Sequence, residues 1–227
     1  MNYTSNLIDE VQKYLPLQFE KRFLQGIKNG NLEKNRFNNW LKADYPYLVN
    51  MLKVVSIGKV KAEDSHDMEA MIRHTRGIEE EMLDHQKHAK KHDLGIEMLN
   101  NPNSMGPLKY SYTRHQLATA FVGNIAELQA SLLSCMWSYQ HLFRMIKKDY
   151  NKTNNPYEDL IMYHCEERHM DSFEMACDLI DRKIDKYGTH LLESVKNIFF
   201  ISVYYETALW DEYYDMSSWD DVMFLKK

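Results

Sequence analysis

Three short stretches set chemically capable side chains into otherwise apolar, aromatic runs. In the run Leu132 to Phe143, the order Cys135-Met136-Trp137-Ser138-Tyr139 places a thiol and a phenol four residues apart, and positions i and i+4 share a helix face. A thiolate there would be a nucleophile with a hydroxyl beside it. The bland alternative is a cysteine serving as a small buried hydrophobe. In Ala43-Asp44-Tyr45-Pro46-Tyr47, Asp44 and Tyr47 lie on one face at i, i+3. A carboxylate among aromatics is costly to bury unless paired, so Asp44 either faces solvent, the commoner place for a lone acid, or is there for a purpose. Tyr204-Tyr205-Glu206-Thr207-Ala208-Leu209-Trp210 repeats the pattern with Glu206. An acid, a thiol and tyrosines on separate inward helix faces could surround a flat heteroaromatic ligand. Aromatics would sandwich its ring, and carboxylates would meet its nitrogens.

A fourth group is rich in histidine: Glu81, His85, His88 and His92, with His164 and His169 further on. Glu81 and His85 share a face, a spacing that metal sites use. Lys87, Lys90 and Lys91 are interleaved with them. That mixture reads as a solvated helix end, and no metal is expected.

These residues need long helices to hold them, and the chain supplies the pattern. Among 227 residues there are only 8 Gly and 5 Pro, too few for many tight turns between strands. Periodicity predicts amphipathic helices over Leu7 to Tyr14 and Gln18 to about Ile27, the latter stopped by Lys28-Asn29-Gly30. Arg36 to Val60 reads as one or two helices, with a kink or a change of helix at Pro46. Asp64 to His92 is a long charged helix whose apolar face carries Met68, Met71, Ile72 and Ile78. Gly95 to Leu108 is the best loop. Thr113 to about Lys148 gives two helices divided near Gly123-Asn124, and Asn151 to Pro156 is a loop. Tyr157 to about Lys186, His190 to about Tyr214 and a tail segment Ser217 to Phe224 complete an all-α domain of seven to nine helices spanning residues 1–227.

Composition narrows the function classes. The formal net charge of −5 argues against nucleic acid as a partner. No apolar run is long enough to span a membrane, and the N-terminal residues lack the basic and apolar regions of an export signal. Three cysteines, Cys135, Cys165 and Cys177, without metal-site spacing fit reduced thiols in the cytoplasm.

The order and spacing of these pieces resemble the TenA (thiaminase II) family along nearly the whole chain. Phe23-Leu24-Gln25-Gly26-Ile27, Gly30-Asn31-Leu32 and Arg36-Phe37 are similar to the family's "QGI…G.L…RF" opening, and Asp44-Tyr45-Pro46-Tyr47-Leu48 to its "QDxxYL" motif. Tyr112-Thr113-Arg114-His115 followed by Gly123 to Glu127 resembles "YTxH…GxxxE". Leu132 to Tyr139 looks like "LLPCxWxY", and Tyr204-Tyr205-Glu206 with Trp210 like "YExxFWxMAY". Each motif alone is weak, but five in the right order are strong. The resemblance implies a haem-oxygenase-like helical bundle assembled as a homotetramer, and a hydrolase acting on thiamin or on 4-amino-5-aminomethyl-2-methylpyrimidine. It assigns Cys135 as nucleophile, and Asp44 and Glu206 as pyrimidine-binding carboxylates. Tyr112 and Tyr139 become the hydroxyls around the thiol, and Tyr47 and Tyr163 the aromatic residues beside the pyrimidine. No cofactor is expected, and nothing specific points to haem.

The chain departs from the family pattern at Ala43, Ser134, Leu160 and Leu209, which bears on pocket shape and substrate preference more than on fold. Two rivals share the bundle. A di-iron oxidase would use Glu81 and His88 as a Glu-x6-His pair, but Tyr139, Tyr163, Glu167 and Met170 stand where its later ligands belong. A non-catalytic pyrimidine-binding or regulatory relative would have no need of the thiol.

Overall fold

The computed structural model describes residues 2–222, and among them there are helices and no strands. The chain opens with α1 (Tyr3–Gln12), α2 (Leu15–Phe19) and α3 (Arg22–Asn29). The single helix expected over Gln18 to Ile27 is therefore two, parted at Glu20-Lys21. Its stop is as expected: Gly30 takes a left-handed φ of 72° and donates to the carbonyls of Gly26 and Ile27, a backbone turn that glycine makes without strain.

Two long helices follow, α4 (Lys34–Lys61) and α5 (Ser65–Lys91). The proline in α4 does not divide it. Pro46 has no N–H to offer the preceding turn, yet Tyr45, Tyr47 and Leu48 around it are all buried, so packing holds the helix through the missing bond. The two helices pack side by side. Gly58 allows the approach, since a Cβ there would sit 2.4 Å from the Met71 sulfur. Asp64 caps α5 by accepting from the Asp67 N–H.

The expected loop from Gly95 to Leu108 holds α6 (Ile96–Leu99) and a 3₁₀ turn at Pro102–Ser104. Then come α7 (Pro107–Val122) and α8 (Ile125–Lys148), divided where the sequence indicated. Asn124 accepts from the N–H groups of Ala126 and Glu127, and the Glu127 carboxylate accepts from the Asn124 N–H, a reciprocal cap of the kind that starts a helix firmly. The run from Tyr157 is two helices, α9 (Glu158–Tyr163) and α10 (Glu167–Tyr187), and the chain continues with α11 (His190–Asp215) and α12 (Trp219–Val222). Twelve α-helices among the described residues exceed the expected seven to nine, because short helices of four to six residues carry no readable periodicity. The expected tail segment ends at Phe224, beyond the described residues.

α8 is the central helix. It packs against α11, α10 and α7, and Leu128, Leu132, Leu133, Trp137, Leu142 and Ile146 are fully enclosed along it. A helix buried on nearly every side must be apolar nearly all round, which makes each polar residue on α8 notable. The expected apolar face of α5 turns inward only in part: Met71 and Ile78 are buried together with His74, His85 and His88, while Met68 and Ile72 are exposed. No helix among the described residues is long and apolar enough to cross a membrane.

Candidate active site

Six helices bring chemically capable side chains to one region: α4 (Asp44, Tyr47), α5 (Glu81, His85), α7 (Lys109, Tyr112), α8 (Cys135, Tyr139), α9 (Tyr163) and α11 (Glu206). The bundle there holds a partly open cavity of about 100 Å³, a size suited to one small ring. Cys135 and Tyr139 both line it, as their i, i+4 spacing requires, together with Glu81, His74, Gln140 and His164. Asp44, Tyr47, Tyr112, Tyr163 and Glu206 do not line this opening. They are buried and form the packed layer around it.

Asp44 is 2% exposed, so the solvent-facing reading of this acid is wrong. It survives burial because it is paired on every side. The Lys109 ammonium donates to Oδ1 at 2.6 Å, His85 Nε2 lies 3.1 Å from Oδ2, and the Tyr213 hydroxyl donates to Oδ1 at 3.4 Å. Burial would raise its pKa, but Lys109 and His85 outweigh that and hold the carboxyl well below its usual range. His85 in turn is pushed up by Asp44 and Glu81 despite its own burial. With its Nδ1 3.0 Å from the Glu81 carbonyl, the ring acts as a donor in both directions. The expected solvated end of α5 is thus partly core: His85 and His88 are buried, while the interleaved lysines face out.

Lys109 was invisible as a site residue in the sequence, although it lies at i, i+3 from Tyr112 on the same helix face. It is buried, and its Nζ sits 3.4 Å from the centre of the Tyr47 ring. A desolvated cation over an aromatic face contributes roughly 2 kcal/mol. The start of α7 is fixed by Glu212, whose carboxylate accepts from the N–H groups of Leu108 and Lys109. Tyr47, Tyr112 and Tyr205 form a stacked column with centroid spacings of 5.7 and 5.1 Å. Gln116 donates to the Tyr47 hydroxyl, and the Tyr112 hydroxyl lies 2.9 Å from Ser134 Oγ.

Glu206 contrasts with Asp44. Its Oε1 is buried without a hydrogen-bond partner, and burial lifts the carboxyl to about 7 even though Lys109, Tyr112 and Cys135 pull it back. Glu81 is likewise raised to about 7 by burial, with Asp44 adding repulsion and His85 and Lys109 opposing it. Burial pushes the Cys135 thiol well up, the charges of Glu206 and Glu81 push further, and Lys109 opposes them. The resting thiol is therefore protonated and needs a neighbour to take its proton as it reacts. Tyr163 stands behind the cavity wall, edge-on to His164 and His169 at 5.1 and 5.0 Å, with its hydroxyl unpartnered.

One atom each of Asp44, Glu81 and His85 lie within 4.8 Å of one another, the separation a metal could bridge. The Lys109 ammonium already sits on Asp44, and a dication beside it would meet strong repulsion. His88, the second member of the di-iron pair, is engaged elsewhere, 3.3 Å from Asp84 and edge-on to Phe37. The donor set does not fit a metal pair.

The site thus sets a thiol at a small cavity in an all-helical bundle, with a paired and an unpaired carboxylate packed behind it. Residues 18–216 match the family model described as TENA/THI-4/PQQC, and the chain belongs to this family. It is 30% identical over 201 residues to the aminopyrimidine aminohydrolase of Helicobacter pylori, covering 85% of this chain and 89% of that one. It is 23% identical over 224 residues to the aminopyrimidine aminohydrolase of Halalkalibacterium halodurans, covering 97% and 99%. The fold is shared with the TenA homologue of P. horikoshii, with a TM-score of 0.83 at 23% identity over 95% of this chain and 99% of that one.

Proposed function

We propose that this protein is a thiaminase II-type hydrolase that converts thiamin, or 4-amino-5-aminomethyl-2-methylpyrimidine, to 4-amino-5-hydroxymethyl-2-methylpyrimidine through Cys135. The observation that carries the reading is the thiol of Cys135 opening into a ring-sized cavity beside a carboxyl, Glu206, that titrates near neutrality. Membership of the family and the relatives named aminopyrimidine aminohydrolase support it.

In this mechanism Glu206 takes the thiol proton as sulfur bonds to a ring carbon, and passes that proton to a ring nitrogen. A group with a pKa near 7 can do both at neutral pH. The enamine electrons of the adduct then expel the group on the exocyclic methylene, thiazole from thiamin or ammonia from the aminomethyl compound. Water adds to the methylene, the C–S bond breaks and aromaticity returns. Asp44, ionised and held by Lys109 and His85, is a fixed acceptor for the pyrimidine edge and carries no proton. Tyr47 and Tyr163 flank the ring, while Tyr112 and Tyr139 hold hydroxyls near the sulfur. The enzyme works as a single domain assembled into a cytoplasmic homotetramer.

The test is a product assay on wild type and Cys135→Ser with each of the two substrates. Hydroxymethylpyrimidine formed by wild type and absent with the variant supports the reading, and the higher kcat/KM names the substrate. No product from either substrate overturns it.

A further inference from the structure

The reaction needs a base at its second half, when water adds to the methylene, and the residues assigned so far do not supply one. Asp44 is held ionised by Lys109 and His85 and does not line the cavity. Glu206 has by then given its proton to the ring nitrogen and must take it back when the adduct collapses, and it does not line the cavity by which water arrives.

We propose that Glu81 is a catalytic residue, the general base that deprotonates the water adding to the exocyclic methylene. Resting on the hydrolase reading above, the assignment follows from position. Glu81 is the one carboxylate among the cavity-lining residues, and Cys135 lines the same cavity. Its side chain makes no hydrogen bond or ion pair among the described residues, whereas Glu80, its sequence neighbour, is paired with Arg168. It is partly exposed, as a group that receives water must be. The positive charges behind it, Lys109 and His85, are already committed to Asp44, so they keep Glu81 ionisable without capping it. Its titration near 7 is set by burial and by Asp44, Asp84, His85 and Lys109 together, which suits a base at neutral pH.

The water oxygen bonds to the methylene carbon, its O–H bond breaks, and the proton goes to Glu81. The electron pair of the exocyclic double bond moves into the ring, restoring the sulfur adduct. The C–S bond then breaks as the ring nitrogen returns its proton to Glu206, which hands it back to the departing Cys135 sulfur. Glu81 releases its own proton through the open side of the cavity.

Rapid-quench turnover with wild type and Glu81→Gln tests the assignment, scoring leaving group and hydroxymethylpyrimidine separately. Loss of the base leaves the first half intact. The variant is expected to release about one equivalent of ammonia or thiazole per site and then to form product ~10²-fold or more slowly than wild type. The intact protein should meanwhile carry the pyrimidinylmethyl mass on Cys135. A second variant, Glu81→Ala, should regain product formation with added formate, which supplies a carboxylate to the emptied space. Turnover of Glu81→Gln within threefold of wild type overturns the assignment, as does leaving-group release slowed as much as product formation. In either case wild-type turnover still stands, so the hydrolase reading survives. If wild type itself forms no product, both readings fall together.

Discussion

Two buried lysine–aspartate pairs of the same length lie in this protein, and they serve different ends. At the base of α5, Lys183 Nζ is 2.6 Å from Asp67. Lys109 Nζ is 2.6 Å from Asp44. Around Asp67 every demand is met. Glu63 donates its backbone N–H to the carboxylate, Arg182 adds a second cation at 3.3 Å, and Glu63 takes a further bond from Lys183 at 3.0 Å. Around Asp44 the pair itself is satisfied but its neighbours are not. Glu206, Gln140, His164 and Tyr163 all hold buried polar atoms without partners, and Glu81 and Glu206 sit near neutrality. A fully connected buried network fixes structure, whereas unsatisfied polar groups beside it retain the capacity to bind and to exchange protons.

The largest effect that separates the two regions is Cys135→Ser. Turnover should fall on the order of 10³-fold or more while thermal unfolding stays close to that of wild type. A Cys135→Ser protein with a much lower Tm would mean the thiol region is structural like the other. Lys183→Met should do the reverse. Leaving Asp67 buried with only the more distant Arg182 costs about 3 kcal/mol, read as a lower denaturant midpoint, with kcat per folded molecule unchanged. A fall in kcat would erase the contrast.

Stability against pH sharpens it further. Glu206 titrates near 4.5 in the unfolded chain and near 7 when folded. The folded state therefore holds the extra proton between those values, and the contribution of Glu206 to stability is fullest below about 4.5 and is lost as pH rises through 7. Glu206→Gln should flatten that decline by about 2 kcal/mol in denaturation curves taken from pH 5 to 8. An unchanged slope would mean Glu206 is not the buried proton carrier. Asn124→Ala, remote in role from both pairs, gives the smallest effect. Loss of the cap between α7 and α8 should cost about 1 kcal/mol and leave kcat/KM unaltered. A larger loss of activity would show that the cap sets the position of Lys109, Tyr112 and Cys135.

Much of the architecture was legible in the chain itself. Long helices recur because apolar residues return every three or four positions, and the division at Gly123-Asn124 and the stop at Gly30 are local capping events. Boundaries failed where local signals conflicted with packing. Pro46 suggested a break that buried neighbours on α4 prevent, and α2, α6 and α9 are too short for a period to show. In the site, Cys135 and Tyr139 share the cavity because they are one helical turn apart, a relation local to α8.

The sequence determined which helices form and which side chain types they carry, since both depend on neighbours a few residues apart. Only the tertiary structure decided which polar groups meet across helices. Lys109 falls on Asp44 across 65 positions and His85 on Asp44 across 41, separations at which no periodicity carries information. That assembly buried Asp44, whose place as a lone acid was open between surface and site, and lowered its pKa through Lys109 and His85. It also raised Glu81 and Glu206 toward neutrality, because burial and neighbouring charge, not residue type, set where a carboxyl titrates.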